Sequence, residues 1–294
     1  KSAPSIKVKT LFFYSAPLYG MDMVNYFQSY IDRYLILLLA GNYALGIYGP
    51  AVSLANLINI LKLQVLYVLF PKFSEIYSKQ GEKAVKTAAY HASKYLFLMF
   101  TPMGVGLAIT SQPVIHFFVG ESYLSAAPIL SIISLALVVT SASVIVNSLL
   151  YSLGDTKIFF LSSSLAIIVD IGLALILIGP FGGIGAALSK VGLLCVMFII
   201  PTYWMKRKYG LNMDFDVMIK SIIASGIMCI PVIILQLLLK NYLFLPVYVL
   251  TGIITYLVSL RFLKAVDDDV IQTLSNLLPK RLFFLQYIIK KILL

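Results

Sequence analysis

The stretch DMVNYFQSYIDRYLILLLAGNYALGIY, residues 22–48, decides the fold, because it places charged side chains inside an apolar segment long enough to cross a membrane. Its polar members follow helical spacing: Asp22, Asn25, Ser29, Asp32 and Arg33. At this spacing the side chains share one narrow face of a helix. Charge is costly to bury in lipid, so we expect the face to point into protein or into a water-filled cavity, as in a transport protein.

The composition of the chain points to a membrane protein. Of its 294 residues 60% are hydrophobic and 12% are charged, and the mean hydropathy is +0.95. Soluble domains carry about 25% charged residues. We therefore predict an all-α, polytopic transmembrane helix bundle. Cys195 and Cys229 lie in apolar segments, so neither a disulfide framework nor a metal site is predicted, and no cofactor is expected.

Eight apolar segments are long enough to be membrane spans, since a helix crosses the hydrocarbon core in about 20 residues. They are Leu11–Ala40, Leu45–Phe70, Tyr95–Ile109 with a polar N-terminal extension from Ala84, Tyr123–Tyr151, Ile158–Ile178, Gly183–Met205, Val217–Leu239 and Leu243–Leu263.

The positions of the basic residues orient these spans. With residues 1–10 on one side of the membrane, 19 of the 23 Lys and Arg fall on that side, and only Lys240 falls on the other. Cytoplasmic loops carry the excess of Lys and Arg, so both termini are predicted to be cytoplasmic. This distribution also explains the net charge of +11 without a nucleic-acid partner.

The last segment, PKRLFFLQYIIKKILL (279–294), is basic at both ends and too short to span. We expect it to lie along the cytoplasmic leaflet, where basic side chains meet anionic lipid. Disorder beyond the last span is the alternative.

Six charges lie within the predicted spans away from the cytoplasmic ends: Asp22, Asp32, Arg33, Lys62, Asp170 and Lys190. One interpretation is that they pair with one another inside the bundle. The other is that the basic members attract an anionic substrate while an acidic member, Asp22 above all, binds a coupling cation. Arg33 lies near the outer end of its span, so snorkelling to the interface is a further alternative.

A second polar stripe lies in the second span. Asn56, Asn59 and Lys62 recur every three residues, which places them on one slowly turning helical face. We expect this stripe and the first one to line a single cavity.

A family resemblance rests on the order of several motifs. They are YSAPLYG (14–20), IDRYLILLLAG (31–41), LGIYGPA (45–51), LFPKFSEIY (69–77), FFVGESYLSAAPIL (117–130), LGDTK (153–157) and IGPFGGIGAALSK (178–190). This order resembles the C-terminal half of the polysaccharide and oligosaccharide-lipid flippases, in the multidrug/oligosaccharidyl-lipid/polysaccharide exporter superfamily. The resemblance covers about residues 10 to 208.

The resemblance implies two six-helix bundles around a central cavity, followed by two extra helices, fourteen in all. Residues 1–10 would be a basic cytoplasmic link, 11–208 the second bundle, 209–264 the two additional helices and 265–294 a cytoplasmic tail. The missing N-terminal bundle of the same protein is then an expected partner, together with membrane lipids.

The implied activity is movement of a polyprenyl-pyrophosphate-linked oligosaccharide across the cytoplasmic membrane by alternating access, driven in some members by a cation gradient. The substrate would be a lipid-linked anionic glycan. The predicted substrate-binding residues are Arg33, Lys62, Asn56, Asn59 and Lys190. The predicted coupling-ion or pairing residues are Asp22, Asp32 and Asp170, and no catalytic residue is predicted.

Two positions depart from the family pattern. Members often carry Asn in the region of Asp170, and small or hydroxyl residues in that of Lys190. The two residues either tune the site to this substrate or pair with each other.

Three other functions compete with a glycan flippase. A cation-coupled multidrug exporter of the same superfamily predicts an acidic and aromatic cavity. A membrane-embedded glycan-processing enzyme needs acidic or histidine-bearing loops, whereas the predicted outer loops contain one acidic residue, Glu121. A non-transporting scaffold also stays open, because a single bundle cannot form a two-sided cavity.

Overall fold

The structure, a computed structural model, describes residues 8–239 and 241–265. The residues in this range whose side chains are not described are 8–22, Val24, Asn25 and Thr156. The described chain consists of helices joined by short turns, which confirms the predicted all-α class. Most of the 1–10 link and nearly all of the 265–294 tail lie outside the described residues, as do the side chains of Asp22 and Asn25.

The first helix, α1 (Val8–Ile109), is interrupted at two glycines. Gly41 has φ 79° and ψ −179°, and Gly81 has φ 80° and ψ −174°, a conformation that residues with a Cβ rarely adopt. The breaks divide α1 into α1a (8–40), α1b (42–80) and α1c (82–109), which contain the first three predicted spans. The segment 71–94, predicted to be cytoplasmic, is helical apart from the break at Gly81.

Seven further α-helices complete the described chain. They are α2 (Ser111–Phe118), α3 (Ala127–Val139), α4 (Ser143–Ser152), α5 (Thr156–Phe181), α6 (Gly183–Tyr209), α7 (Phe215–Leu239) and α8 (Leu245–Phe262). The fourth predicted span is formed by α3 and α4, with a 3₁₀ turn at Thr140–Ala142 between them. The predicted outer loop at 110–122 contains α2.

Within the described residues, six helices are long and apolar enough to cross a membrane when Tyr26–Ile109, with its two breaks, is counted as one. Their outer surfaces are strongly apolar, with Leu38 79% and Phe262 82% exposed. Exposed apolar surface on this scale is suited to lipid and not to water. The polytopic bundle is therefore confirmed, while the number of crossings remains a prediction.

Two packed cores hold the helices together. The larger joins α1 with α3, α4, α5 and α6 through fully buried side chains such as Tyr48, Phe97, Phe100 and Leu130. Helix α1c approaches α3 closely at Gly104, where a Cβ would lie 2.8 Å from the Ser134 carbonyl oxygen. Small residues allow this kind of approach in membrane helices.

The smaller core attaches α7 and α8 to α1c. Polar contacts within it fix the register: the Ser221 hydroxyl donates to the Phe97 carbonyl at 3.1 Å. The Tyr256 hydroxyl donates to the Leu98 carbonyl at 2.9 Å and lies 2.7 Å from that of Ser221. These carbonyls lie in an apolar surrounding, where unsatisfied polar groups are costly.

The break at Gly81 is expected to depend on glycine. Gly81→Ala should lower the free energy of unfolding by about 1–3 kcal/mol, because a positive φ strains any residue with a Cβ. Gly46→Ala in α1b is the matched control, since that glycine has open space around it and no positive φ. The control should be neutral or stabilising by up to about 1 kcal/mol. Unfolding in detergent would measure both, and equal effects would contradict the assignment.

Candidate functional site

A buried ionic network joins the first helix to α6. Asp32, on α1a, is 1% exposed. Its Oδ2 accepts a hydrogen bond from the Tyr48 hydroxyl at 2.6 Å and lies 3.3 Å from the Lys190 ammonium. Its Oδ1 accepts from the backbone N–H of Arg33 at 2.9 Å. The carboxylate is thus neutralised by Lys190 and held by groups on α1a, α1b and α6.

Helical spacing explains why these groups meet. On α1a, Gln28, Asp32 and Ile36 follow each other at intervals of four residues, and all three are buried. Lys190 reaches this face from α6 and also donates to the Gln28 carbonyl at 3.3 Å. Lys190 therefore contacts Asp32 directly, not Asp170, the other partner considered from the sequence.

Asp170, on α5, lies beside this network without joining it. It is completely buried, and it is close enough to Lys190, Asp32 and Tyr48 to interact with them electrostatically. The Ser189 hydroxyl is also close enough to interact with the Asp170 carboxyl group, but by geometry it donates its hydrogen bond to the Ala186 carbonyl at 2.9 Å. Neither Asp170 oxygen has a hydrogen-bond partner among the described residues.

Arg33 follows Asp32 in the chain, but its guanidinium turns to another side of α1a. The Cζ atom lies 5.3 Å from the centre of the Tyr30 ring, in a cation–π contact. Tyr26 and Tyr34, one turn away on either side, are 60% and 59% exposed. This outward row of tyrosines around a guanidinium is poorly suited to lipid, so it is suited to a cavity or to a protein neighbour.

The second polar stripe is divided in the structure. Lys62 is 7% exposed and donates to the Leu137 carbonyl at 2.8 Å and to the Thr140 hydroxyl at 3.1 Å. These acceptors lie where α3 ends in the 3₁₀ turn, and the carboxyl end of a helix attracts a cation. Sequence reasoning missed this contact because the break between α3 and α4 was not predicted.

The two asparagines of that stripe lie on another side of α1b. Asn56 is exposed and Asn59 is half-buried. The Asn59 amide donates to the Asn56 side-chain oxygen at 3.1 Å. Helix α1b therefore presents an amide pair outward and an ammonium inward, which differs from the single shared face expected from the sequence.

A second ionic cluster lies at the end of the bundle predicted to be cytoplasmic. Asp155, in the LGDTK turn before α5, accepts through one oxygen from Trp204 at 2.9 Å, Lys208 at 2.6 Å and Tyr209 at 3.3 Å. Burial alone would raise the pKa of Asp155, but hydrogen bonds from these three groups outweigh it and hold the pKa below its ordinary value. We call this cluster the α6 clasp, because it fixes the end of α6 to the turn before α5.

Trp204 is the one tryptophan in the chain, so its fluorescence should report on the α6 clasp. The clasp stabilises the protein above the unfolded-state pKa of Asp155, about 3.9. That stabilisation is lost as the pH falls through the lower folded-state value. We expect constant Trp204 emission from pH 8 to about pH 5 and a change only below about pH 4. Asp155→Asn, the control, should remove that transition; an unchanged transition in this variant would contradict the assignment.

No group of three or more His, Cys, Asp or Glu in the described part of the chain is placed to hold a metal ion. What the site offers is one buried network with an excess carboxylate, and an outward face of polar and aromatic groups on α1a and α1b. Such an arrangement can bind an anion on the outward face and respond to charge changes in the interior.

Comparison with known proteins gives this fold a context. The model of a family described as polysaccharide biosynthesis protein matches residues 3–128. An uncharacterized membrane protein of Methanocaldococcus jannaschii is 28% identical over 199 residues, which cover 64% of this chain and 38% of that protein.

Two relatives carry functional names. The probable low-salt glycan biosynthesis flippase Agl15 of Haloferax volcanii is 20% identical over 76% of this chain and 49% of its own length. The teichuronic acid biosynthesis protein TuaB of Bacillus subtilis is 31% identical over 44% of this chain and 26% of its own. The chain thus spans half or less of the length of these curated relatives.

Among solved structures, the lipid II flippase MurJ in an inward closed conformation superposes with a TM-score of 0.73 at 19% identity, over 88% of this chain and 55% of that one. The chain is therefore a multi-pass helical membrane protein with a flippase-like fold. Together the matches confirm its resemblance to the family of polysaccharide and lipid-linked glycan flippases.

Proposed function

We propose that this chain is part of a flippase that moves a lipid-linked glycan across the cytoplasmic membrane. The observation that carries the proposal is the match to the polysaccharide biosynthesis family over residues 3–128. This region contains α1a and α1b, whose outward polar side chains are otherwise unexplained in an apolar bundle. The flippase names of the relatives agree with this proposal.

The outward face of α1a and α1b is the proposed substrate surface. Arg33 suits the pyrophosphate, because its planar guanidinium donates two parallel hydrogen bonds to phosphate oxygens. Asn56 and Asn59 supply amide groups for sugar hydroxyls. Lys62 and Lys190 point into the bundle, so we assign them positioning roles rather than direct contact with substrate.

The interior carboxylates are proposed to respond to the coupling ion. Asp32 pairs with Lys190 and Asp170 stays without a partner among the described residues. Asp22 remains a predicted coupling-cation residue, and its side chain is not described.

The proposal also includes a second bundle. Because the chain matches 26–49% of the curated relatives' lengths, we propose that an upstream six-helix bundle faces α1a and α1b and closes the central cavity. Both ends of this chain would then be cytoplasmic, with the basic 279–294 segment on the inner leaflet.

Deletion of the gene tests the proposed function. Lipid-linked glycan should accumulate on the inner leaflet and return to normal when the gene is restored. Normal glycan export in the deletion strain would contradict the proposal.

The same deletion strain tests the second candidate, a cation-coupled multidrug exporter. The exposed row of Tyr26, Tyr30 and Tyr34 favours this candidate, because it matches an aromatic cavity. Drug sensitivity with unaffected glycan would support the exporter over the glycan flippase.

A further inference from the structure

Among the described residues, the buried network holds two carboxyl groups and one ammonium. Asp32, Asp170 and Lys190 are interacting neighbours on α1a, α5 and α6. The Arg33 guanidinium lies against the Tyr30 ring and acts on the network only through an electrostatic interaction with Tyr48. One ammonium therefore faces two carboxyl groups, and the one it contacts is Asp32.

The second carboxyl group cannot persist as an isolated anion. Asp170 is completely buried, and neither oxygen has a hydrogen-bond partner in the described chain. An unpaired carboxylate in such a place is strongly disfavoured, and the group becomes neutral instead. A proton achieves this without any further ligand, whereas a metal ion would need several oxygen ligands, and among the described residues no group of three His, Cys, Asp or Glu is placed to supply them.

We propose that Asp170 binds one exchangeable proton and that its loss transfers the Lys190 ammonium from Asp32 to Asp170. The proton passes from the Asp170 carboxyl to water, and the new carboxylate then pairs with Lys190. Asp32 keeps its hydrogen bond from Tyr48. Lys190 can move because its ammonium sits on a flexible four-carbon chain and its contact with Asp32, at 3.3 Å, is long for an ion pair.

Four groups face Asp170 and influence whether it holds its proton. They are Asp32 on α1a, Tyr48 on α1b, and Ser189 and Lys190 on α6. With the proton bound, Lys190 joins α6 to α1a; without it, Lys190 joins α6 to α5. Proton loss therefore loosens the contact between α6 and α1a, the helix that carries Arg33. The role of this change in transport is the one consequence that rests on the proposed function.

Infrared spectroscopy of the intact protein in lipid tests the proposal, because a protonated carboxyl group has its own stretching band. At neutral pH we expect one buried protonated carboxyl group among the described residues, and its band should be absent in Asp170→Asn. Asp32→Asn should also lose it, since Lys190 then pairs with Asp170 and keeps it ionised. Lys190→Met should keep the band, because Asp170 then has no cation to pair with, while Asp32 keeps its hydrogen bonds from Tyr48 and the Arg33 backbone. Asp155→Asn, in the α6 clasp, is the control and should leave the band unchanged.

Each contrary result is decisive. A band that survives in Asp170→Asn places the proton elsewhere and overturns the proposal. A band that is lost in Asp170→Asn but kept in Asp32→Asn overturns the exchange of partners. A band removed by sodium at fixed pH makes the ligand a metal ion and not a proton.

The two isosteric Asp→Asn variants decide the matter even if Lys190→Met fails to fold. No substrate is present in these measurements. If the infrared bands are as expected but glycan export is normal in the deletion strain, only the proposed function is rejected. If glycan accumulates in the deletion strain but the bands differ from those expected, only this inference is rejected.

Discussion

Replacing Asp32 and Asp170 together by asparagine should lower the free energy of unfolding by about 3–5 kcal/mol, the cost of leaving a buried charge without its partner. The double variant removes both carboxyl groups that Lys190 can pair with, and leaves an ammonium that is only 17% exposed. Each single variant should cost much less, because Lys190 keeps one carboxylate. Unfolding of the four proteins of this double-mutant cycle in detergent would measure the coupling.

Adding Lys190→Met to the double variant is the control. It removes the stranded charge and should restore most of the lost stability, since apolar replacements of buried ion pairs are often neutral or stabilising. Two results would show that Lys190 is not paired with these carboxyl groups. One is that the effects of the two Asp→Asn substitutions on the free energy of unfolding simply add, and the other is that Lys190→Met does not restore stability.

Arg33→Ala should reduce flipping of a pyrophosphate-linked glycan by roughly 10- to 100-fold. The reason is the loss of charge-assisted hydrogen bonds to phosphate, which contribute about 1.5–3 kcal/mol. The flipping rate of Arg33→Lys should lie between those of the unmodified protein and Arg33→Ala, because lysine keeps the charge but not the planar pair of donors. Transfer of labelled lipid-linked glycan between leaflets of vesicles that contain the whole protein would measure the rate.

Arg207→Ala is the matched control for Arg33→Ala, since Arg207 is an exposed arginine in the last turn of α6, away from the proposed surface. It should leave the flipping rate unchanged. Equal rates for Arg33→Ala and the unmodified protein would remove Arg33 from the substrate surface, and equal losses in both arginine variants would indicate a nonspecific effect of charge.

Much of the fold could be predicted, because hydropathy and helical length dominate the structure of a chain in lipid. The charges of segment 71–94 predict a cytoplasmic stretch but do not show that it is helical. Glu75 and Lys79 form an ion pair at 2.8 Å along one helical face. Such pairs at four-residue spacing stabilise a helix in water, so α1b continues to Gly81. Polarity there indicates an end to the apolar segment and not to the helix.

The candidate site was predicted as a set of charges but not as pairs. Asp32 and Lys190 are 158 residues apart, and no local spacing can indicate which distant residue meets which. The inward direction of Lys62 depends on the helix end at Thr140, a break within a continuous apolar segment. The α6 clasp likewise depends on how α5 and α6 pack, which neither the LGDTK motif nor the basic cluster reveals alone.

The hydrogen bond from Tyr48 to Asp32 crosses the break at Gly41. The backbone at Gly41 makes no continuous helix, so side-chain contacts across it help to hold α1a against α1b. The contact between Tyr48 and Asp32 is the shortest of these polar connections in the network. This hydrogen bond therefore connects α1a to α1b across the break, and its strength depends on the charge of the Asp32 carboxyl group.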